Sequence, residues 1–408
     1  MEKNNKFAPM RSSEIENTVK NDTKETAYVI NDVYLNLSKK LKITKYIVLF
    51  ALIVVVLIGI MNFSSHINIY SVREFFYSLG KSTVSINDNY VSISSSELVK
   101  ADVFRDYLVM LRNDRIELYN TDGTRNMSRR IQMSKPTLKS SDRYMLLYDL
   151  GSYNLQLYNT VELIDEKKFD NTIYVADIND KGYFAVITHD VAYASQMLVF
   201  DNEMNCVFEW SSAYKYTPCM KMLNDDKSIV TASYFSKNGI PTTVLNLFNL
   251  KKETAITHEF SATLPLEVGQ IKDGAYLLCT DRLIILDKEG NILKEISLIE
   301  YGSSVLEATT SANNIAISIS VSNSTDECKV LVFSHSGELI YSKYEEFKIP
   351  SISLSAETLY YIHNGSLTAT DITNKTVEVN VLKDSFFDLL CINNKLVLVS
   401  SEETLIYS

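Results

Sequence analysis

Histidine and acidic side chains are the residues of this chain that could bind a metal ion. The five histidines show no H-x-H or H-E-x-x-H spacing, which would place two imidazoles on one metal. The stretch Asp177 to Gly182, DINDKG, is similar to a calcium loop, but Lys181 occupies a ligand position and no glutamate follows at the twelfth position. We therefore predict no metal site and interpret this stretch as a turn. The histidines, which we interpret as ordinary surface or turn residues, are His66, His189, His258, His335 and His363.

The cysteines are odd in number and show no C-x-x-C spacing. Most of them lie in apolar stretches, so we interpret them as buried thiols. A disulfide between Cys206 and Cys219 is the alternative. The five are Cys206, Cys219, Cys279, Cys328 and Cys391.

Motifs for covalent or cofactor-dependent catalysis are missing from the sequence. It contains no G-x-S-x-G elbow, no Walker loop and no C-x-x-C-H haem motif. The adjacent carboxylates Asp225 and Asp226 lie in a polar stretch, where solvation accounts for them. We therefore predict no catalytic residue and no cofactor, and we interpret the chain as not being an enzyme.

One stretch of the 408 residues is suited to a lipid bilayer. Tyr46 to Phe63, YIVLFALIVVVLIGIMNF, carries no charge and is long enough at helical rise to cross the bilayer core, so we predict a transmembrane helix. A buried core helix and a cleaved signal peptide are the alternatives. The 45 residues ahead of the stretch are, however, too long for the charged region of a signal peptide.

The charges that flank this stretch predict its orientation. Lys39, Lys40, Lys42 and Lys45 precede it, whereas the first dozen residues after it offer only His66 and Arg73 among the basic side chains. Positive residues favour the cytoplasmic side, so we predict a cytoplasmic N-terminus and an extracellular remainder. Residues 1–45 hold nine of the 40 Lys and Arg and six of the 50 Asp and Glu, which leaves 31 and 44 for the rest. This acidic balance argues against a nucleic-acid partner.

The remaining N-terminal residues divide by composition. Residues 1–45 form a predicted cytoplasmic tail, which is polar and disordered to about residue 26 and then helical from Tyr28 to Leu41. That helix suits either the lipid surface or a protein partner. Residues 64–81 form a linker with one short helix in SVREFFYSLG, which ends at Gly80. The second domain is predicted over residues 82–408.

A phrase recurs along this second domain: an apolar strand that ends in an aromatic residue or leucine, a polar turn, and another strand. The marker positions are 39, 42, 48, 38, 47, 37 and 37 residues apart, close to the period of propeller blades. We predict an all-β fold, a β-propeller of eight blades behind the transmembrane helix, with seven blades as the alternative if one marker is accidental. The markers are Tyr119, Tyr158, Phe200, Phe248, Leu286, Phe333, Thr370 and Tyr407.

The last repeat unit contains only three strands, which predicts how the ring closes. A strand within Ser82 to Ser94 lies ahead of the first complete unit, and pairing it with Thr404 to Tyr407 would cover an otherwise open edge. A fourth strand begins at the face of the third-to-fourth-strand turns. If the linker leads directly into this strand, the face with those turns points toward the membrane and the opposite face points away from it. If TVSI and YVSIS pair as a hairpin, the chain enters on the other side.

Three units are long because residues are inserted between their second and third strands. The inserted stretches are THDVAYASQ, YFSKNGIPT and VSNSTDECK, and a further long link, SSAYKYTP, joins two units. These loops open on one face and gather aromatic residues, a composition typical of binding surfaces. We predict a binding site there; packing between blades is the alternative use of these rings. The predicted site residues are Tyr193, Trp210, Tyr214, Tyr216, Tyr234 and Phe235.

The layout of tail, single span and propeller, together with repeats such as LIILDKEGNILKEI, resembles an uncharacterised family of single-pass membrane proteins, a domain of unknown function from Gram-positive anaerobic bacteria. The repeat is also similar to quinoprotein-like repeats and is WD40-like, although the W-D dipeptide is missing. The resemblance implies fold and location but no activity.

We therefore expect a membrane-tethered, extracytoplasmic, non-catalytic propeller that binds or scaffolds an envelope protein or polymer. One rival is a glycan-acting envelope enzyme, which a channel-lining cluster of Asp and Glu with raised pKa values would favour. The other rival is a sensor that signals through the tail.

Overall fold

The structure is a computed structural model that describes residues 44–46, 90–160, 162–225, 227–355, 357–375, 377–382, 385–392 and 395–407. The chain divides into two compact units, Met1–Lys81 and Ser82–Ser408. Residues 44–46 of the first unit are helical. In the described parts of the chain, no helix has the length and apolar character needed to span a bilayer. The predicted tail, span Tyr46 to Phe63 and linker lie outside the described residues, apart from 44–46, and stay predictions.

The described residues of the second unit form 32 strands in eight four-stranded antiparallel sheets. The closing strand is β1 (Tyr90–Ser94). The first sheet is β2 (Leu98–Phe104), β3 (Tyr107–Arg112), β4 (Arg115–Asn120), β5 (Arg125–Arg130); the second β6 (Pro136–Ser140), β7 (Met145–Asp149), β8 (Asn154–Tyr158), β9 (Leu163–Lys168); the third β10 (Thr172–Ile178), β11 (Phe184–His189), β12 (Ser195–Phe200), β13 (Cys206–Ser212); the fourth β14 (Tyr216–Met222), β15 (Ser228–Lys237), β16 (Ile240–Asn249), β17 (Thr254–Ser261). The fifth is β18 (Pro265–Ile271), β19 (Gly274–Cys279), β20 (Arg282–Asp287), β21 (Ile292–Ser297); the sixth β22 (Ser304–Thr310), β23 (Asn314–Ser320), β24 (Cys328–Ser334), β25 (Leu339–Glu345); the seventh β26 (Ser351–Ser355), β27 (Thr358–His363), β28 (Ser366–Asp371), β29 (Val377–Val381); the eighth β30 (Phe386–Ile392), β31 (Lys395–Ser400), β32 (Glu403–Tyr407) with β1.

These sheets are the blades of a propeller. First strands of neighbouring blades contact one another, for example β10 with β14, β14 with β18 and β26 with β30, so the first strands surround the central channel. Each of the eight sequence markers lies in the third strand of a blade. The prediction of an eight-bladed all-β propeller is confirmed.

Apolar residues on both faces of the inner strands hold the blades together. All six side chains of β19 and all seven of β23 are buried, whereas five of the six in the fourth strand β21 are exposed. One buried cluster joins Val230 and Leu245 of the fourth blade to Leu277 and Ile284 of the fifth. Each fully buried aliphatic side chain contributes roughly 1.5–3 kcal/mol. Stacking of neighbouring sheets is therefore what buries the core.

The DKEGN stretch closes the turn between the third and fourth strands of the fifth blade. In the fifth blade, the carboxylate of Asp287 accepts hydrogen bonds from the backbone N–H and the side-chain amide of Asn291, both at 2.8 Å. Gly290 has φ +87°, and a Cβ there would lie 2.8 Å from Cδ2 of Leu247 in the preceding blade. Glycine therefore allows the left-handed turn without strain, and a side chain there would push against Leu247 of the neighbouring blade.

The closing strand completes the eighth blade. β1 pairs antiparallel with β32, with Tyr90 opposite Tyr407 and Ser94 opposite Glu403. This confirms the predicted closure for Tyr90 to Ser94, while residues 82–89 lie outside the described part of the chain. The two ends of the propeller thus share one sheet, and the edge of β32 is covered.

A buried ion-pair network secures the chain where the closing strand continues into the first blade. The Arg112 guanidinium donates to the carbonyls of Ser94, at 2.7 Å, and Ser96, and its Nε donates to Oε2 of Glu117 at 2.7 Å. Glu117 also accepts from Arg125 at 2.9 Å. Arg112 and Glu117 are both buried, so the network links closure of the ring to the interior of the first blade.

The two faces of the propeller carry different connections. We call the face with the second-to-third-strand connections and the links to the next blade the insertion face, and the opposite one the turn face. The predicted insertions are confirmed as residues 190–194, the extended hairpin around 234–242 and residues 321–327. β1 runs from Tyr90 at the turn face to Ser94, so the described part of the propeller begins on the turn face. The stretch TVSI lies outside the described residues, and the side on which the linker enters stays a prediction.

Candidate functional site

An aromatic cluster lies on the insertion face of the fourth blade, where β15 and β16 are ten residues long and form an extended hairpin. The rings of Tyr214 and Phe235 meet edge to face with centroids 5.5 Å apart, and Tyr216 stacks on Tyr234 at 5.8 Å. Lys215 Nζ lies 5.6 Å from the Tyr214 centroid. The structure thus brings together four of the six predicted site residues. We call Tyr214, Tyr216, Tyr234 and Phe235 the aromatic cluster.

The other two predicted residues take different positions. Tyr193 is exposed in the loop of the third blade, two residues before Ser195, whose hydroxyl accepts a hydrogen bond from the Thr217 N–H of the fourth blade. Trp210 belongs to the fourth strand β13 and is half-buried, with its ring 5.4 Å from Phe248 of the next blade. Trp210 therefore fills a gap between blades. Trp210 was included in the predicted site because it directly precedes the link SSAYKYTP, and the structure places it in β13, two residues before that strand ends.

Exposed apolar side chains distinguish the two faces. Among the described residues, none of the exposed large apolar side chains lies in a turn of the turn face. Those of the propeller lie on the insertion face or on fourth strands, where Tyr90, Ile292, Leu339 and Val377 stand at the turn-face end. The insertion-face set is Val99, Leu150, Tyr153, Tyr174, Val191, Tyr193, Tyr214, Tyr216, Tyr234, Ile240, Leu264, Leu266, Ile299, Leu306, Phe347 and Phe387.

A repeated β-bulge accounts for part of this asymmetry. In six blades the pairing between first and second strand is interrupted near the insertion-face end of the first strand. Each bulge displays an exposed apolar residue at the channel mouth, because the innermost strand ends there. We call these six residues the collar: Val99, Tyr174, Pro218, Leu266, Leu306 and Phe387.

Three carboxylates lie directly beneath collar residues. Glu267, Glu307 and Asp388 each follow the bulged residue of their first strand. Burial raises the pKa of all three, and it raises that of Glu307 to about 7, with Asp388 and Glu267 adding like-charge repulsion. This is a set of channel carboxylates that sequence reasoning missed. The signal was an apolar residue followed directly by an acid near the start of three first strands, at the second and third positions of β18 and β30 and the third and fourth of β22.

Each of these carboxylates also has a hydrogen-bond partner. Glu267 accepts from the Tyr276 hydroxyl at 2.6 Å, and Glu307 accepts from the Ile352 N–H of the seventh blade at 2.7 Å. Asp388 accepts from the Ser351 hydroxyl at 2.9 Å. Two of the three bonds cross between blades. The carboxylates are therefore held in place by the scaffold.

Lysines occupy other first strands of the channel. Lys139 and Lys221 lower the pKa of Glu267 against the larger effect of burial, and Lys100 does the same for Asp388. No lysine or arginine is among the groups that shift the pKa of Glu307. The charged groups that act on Glu307 are thus the two carboxylates Asp388 and Glu267.

The residues that could bind a metal ion or form a disulfide do not come together in the described parts of the chain. Within the described ranges, no three His, Cys, Asp or Glu side chains are arranged to hold a metal ion. Cys206 and Cys219 are free thiols, so the alternative of a disulfide between them is not realised. Burial raises the pKa of Cys219 and Cys279 to about 12. Asp177 to Gly182 contains a turn, as predicted, in which Asn179 Oδ1 accepts from the N–H groups of Lys181 and Tyr183.

Solved structures share this architecture. The chain is similar to BamB from Moraxella catarrhalis, at 13% identity and a TM-score of 0.54 over 80% of this chain and 97% of that one. It is similar to Sqt1 from Saccharomyces cerevisiae, at 10% identity and 0.56 over 78% and 97%, and to the WD40 domain of SCAP from fission yeast, at 8% and 0.51 over 78% and 98%. At these identities the likeness shows the fold alone. No curated protein matches the chain.

The propeller corresponds to a known sequence family. A family profile described as a family of unknown function matches residues 81–406. The match covers the closing strand and all eight blades, and so nearly everything that the structure describes. The chain therefore belongs to this family of unknown function, DUF5711.

Proposed function

We propose that this protein is a membrane-tethered, extracytoplasmic propeller that binds or scaffolds a partner of the cell envelope through its insertion face and catalyses no reaction. The observation that carries the proposal is the asymmetry of the two faces. Large apolar side chains are exposed in the loops of the insertion face and in no described turn of the turn face. Contiguous exposed apolar surface on a soluble domain marks an interaction site.

The aromatic cluster is the part of this face best suited to binding. Its rings are exposed, and Tyr214 and Tyr216 are 62% and 51% accessible. They are also held by one another and by the extended hairpin, so little conformational entropy is lost on binding. An envelope protein or wall polymer is the partner that we propose.

The proposed location rests on the N-terminal sequence. Tyr46 to Phe63 is uncharged and apolar, and four lysines precede it. The first described strand, β1, starts on the turn face, which supports an insertion face that points away from the membrane.

Pull-down from intact cells tests the binding proposal. We would replace Tyr214→Ser and Tyr216→Ser together and compare recovered partners with those of the unaltered chain. The matched control is Ile292→Ser with Leu293→Ser, two exposed residues on the fourth strand β21. We expect recovery to fall at least tenfold for the tyrosine variant and not for the control. Each lost ring pair should lower the free energy of unfolding by no more than about 1.5 kcal/mol. Equal recovery from a stable tyrosine variant would discard the cluster as the binding site.

The channel carboxylates favour a second candidate, a glycan-acting enzyme. A raised pKa is what a general acid needs, and Glu307 has one. Against this, all three carboxylates accept bonds from the scaffold, which is a structural role. Release of new reducing ends from cell-wall glycan, abolished by Glu307→Gln, would establish the enzyme. The binding proposal expects no release from the unaltered protein.

A further inference from the structure

We propose that the channel mouth on the insertion face receives a peptide segment of a partner protein that carries a lysine or arginine, with the collar contacting apolar side chains and the carboxylates beneath it receiving the cation. This names the chemistry of the partner and rests on the proposed binding function. The site uses other residues than the aromatic cluster, of which Tyr234 and Phe235 lie on the fourth-blade hairpin and Tyr216 begins β14.

The collar is the first step of the argument. Leu266, Leu306 and Phe387 come from the fifth, sixth and eighth blades, and the exposure of Phe387 reaches 53%. A bulge removes one position of backbone hydrogen bonding between the first and second strands, and six blades have a bulge at the same place. The repeated outcome is a ring of apolar side chains that no segment of the described chain covers. Apolar side chains spread over six blades offer contacts to several side chains of one peptide.

Charge decides what the peptide should carry. Glu267, Glu307 and Asp388 lie one residue below the collar in the same three blades. Glu307 is influenced by Asp388 from the eighth blade and Glu267 from the fifth, while its own blade places Ser318 opposite it and the seventh places Ile352 beside it. The lysines that act on the flanking acids, Lys100, Lys139 and Lys221, lie on the first, second and fourth blades.

Lysine and arginine match both the apolar collar and the carboxylates beneath it. Their methylene stems pack on apolar side chains while the charged head extends beyond them. A cation beside Glu307 would relieve the repulsion between neighbouring carboxylates and favour the ionised form. A bare metal ion fits less well, because the described residues offer no cluster of three ligating side chains.

Peptide pools test the proposal. We would immobilise the full chain in detergent and measure retention of four heptapeptide pools whose central residue is fixed as Lys, Arg, Gln or Glu and whose other positions are randomised. We expect the Lys and Arg pools to be retained at least tenfold more than the Gln and Glu pools at pH 8. Because the carboxylate ionises as pH rises through about 7, this preference should shrink at pH 5.5.

Two variants locate the effect. Glu307→Gln should remove most of the preference and its pH dependence, and Leu266→Ser with Leu306→Ser should lower retention of all four pools. Ile292→Ser with Leu293→Ser should change neither. Equal retention of the pools, or a preference that Glu307→Gln leaves intact, would overturn the inference. If the inference fails but the Tyr214→Ser, Tyr216→Ser variant still loses partner recovery, the proposed binding function stands. If that variant also recovers its partners normally, the inference and the proposed function both fail.

Discussion

Glu307 shows how one side chain can couple the channel to the assembly of the blades. Its carboxylate accepts the Ile352 N–H of the next blade at 2.7 Å, so it bridges two sheets that share no strand pairing. It is also close enough to Asp388 and Glu267 for repulsion to raise its pKa further above the value set by burial. Burial and this repulsion make the neutral carboxyl the preferred form in the folded protein. The stability of the folded protein therefore depends on pH.

The sign of that dependence follows from the raised pKa. Between the unfolded value of 4.5 and the folded value of about 7, the folded state binds more protons than the unfolded state. The free energy of unfolding should therefore fall by at most roughly 3 kcal/mol as pH rises through this window, and it should stay level above it. Glu307→Gln keeps an acceptor for Ile352 and should remove this fall.

Urea unfolding at pH 5 and pH 8 measures the effect. The exposed Glu289→Gln, in the turn of the fifth blade, is the control and should retain the dependence of the parent. An unchanged difference between the two pH values in Glu307→Gln would show that Glu307 does not cause it.

At the scale of the elements, strand periodicity was predictable and local irregularity was not. Each blade repeats an apolar third strand and a polar turn, so the markers identified eight units and the seam. A bulge adds one residue without changing the apolar pattern, as in Val305-Leu306-Glu307, and so the collar was missed. Trp210 was assigned to the binding site because it adjoins the link SSAYKYTP, and its contact with Phe248 of the next blade could not be read from the sequence.

The seam network gives the prediction at this scale. Arg112→Met removes the donor to the Ser94 and Ser96 carbonyls and leaves Arg125 as the remaining cation beside the buried Glu117, which also accepts from the Tyr119 and Ser128 hydroxyls. Loss of one partner from a buried pair costs about 3–5 kcal/mol, and we expect a corresponding drop in the free energy of unfolding.

The double variant Arg112→Met with Glu117→Leu should recover much of the loss, because no buried charge remains unpaired. Thermal unfolding of the two variants and of the exposed Arg129→Met control provides the comparison. A single variant as stable as the parent would show that the network does not secure the seam.

At the scale of the whole molecule, the asymmetry of the faces and the acidic balance suggest an outward-facing binding protein. An epitope inserted after Gly239, at the tip of the extended hairpin where no atom lies within 4 Å of a Cβ, should be reached by antibody on intact protoplasts. An epitope ahead of Met1 should be reached only after permeabilisation, because the lysines before Tyr46 favour the cytoplasm. The reverse pattern would contradict the proposed location.

The closing strand also sets an order of events during biosynthesis. Tyr90–Ser94 is synthesised more than 300 residues before its partner Glu403–Tyr407, so the ring stays open until the ribosome has made the eighth blade. During that time β1 has no sheet to join, and the completed blades expose an apolar side to any chaperone nearby. A translation error or proteolytic cut that removes only residues 403–407 would therefore leave seven blades intact and still prevent maturation, which makes this short strand the point at which quality control can distinguish a finished molecule from an unfinished one.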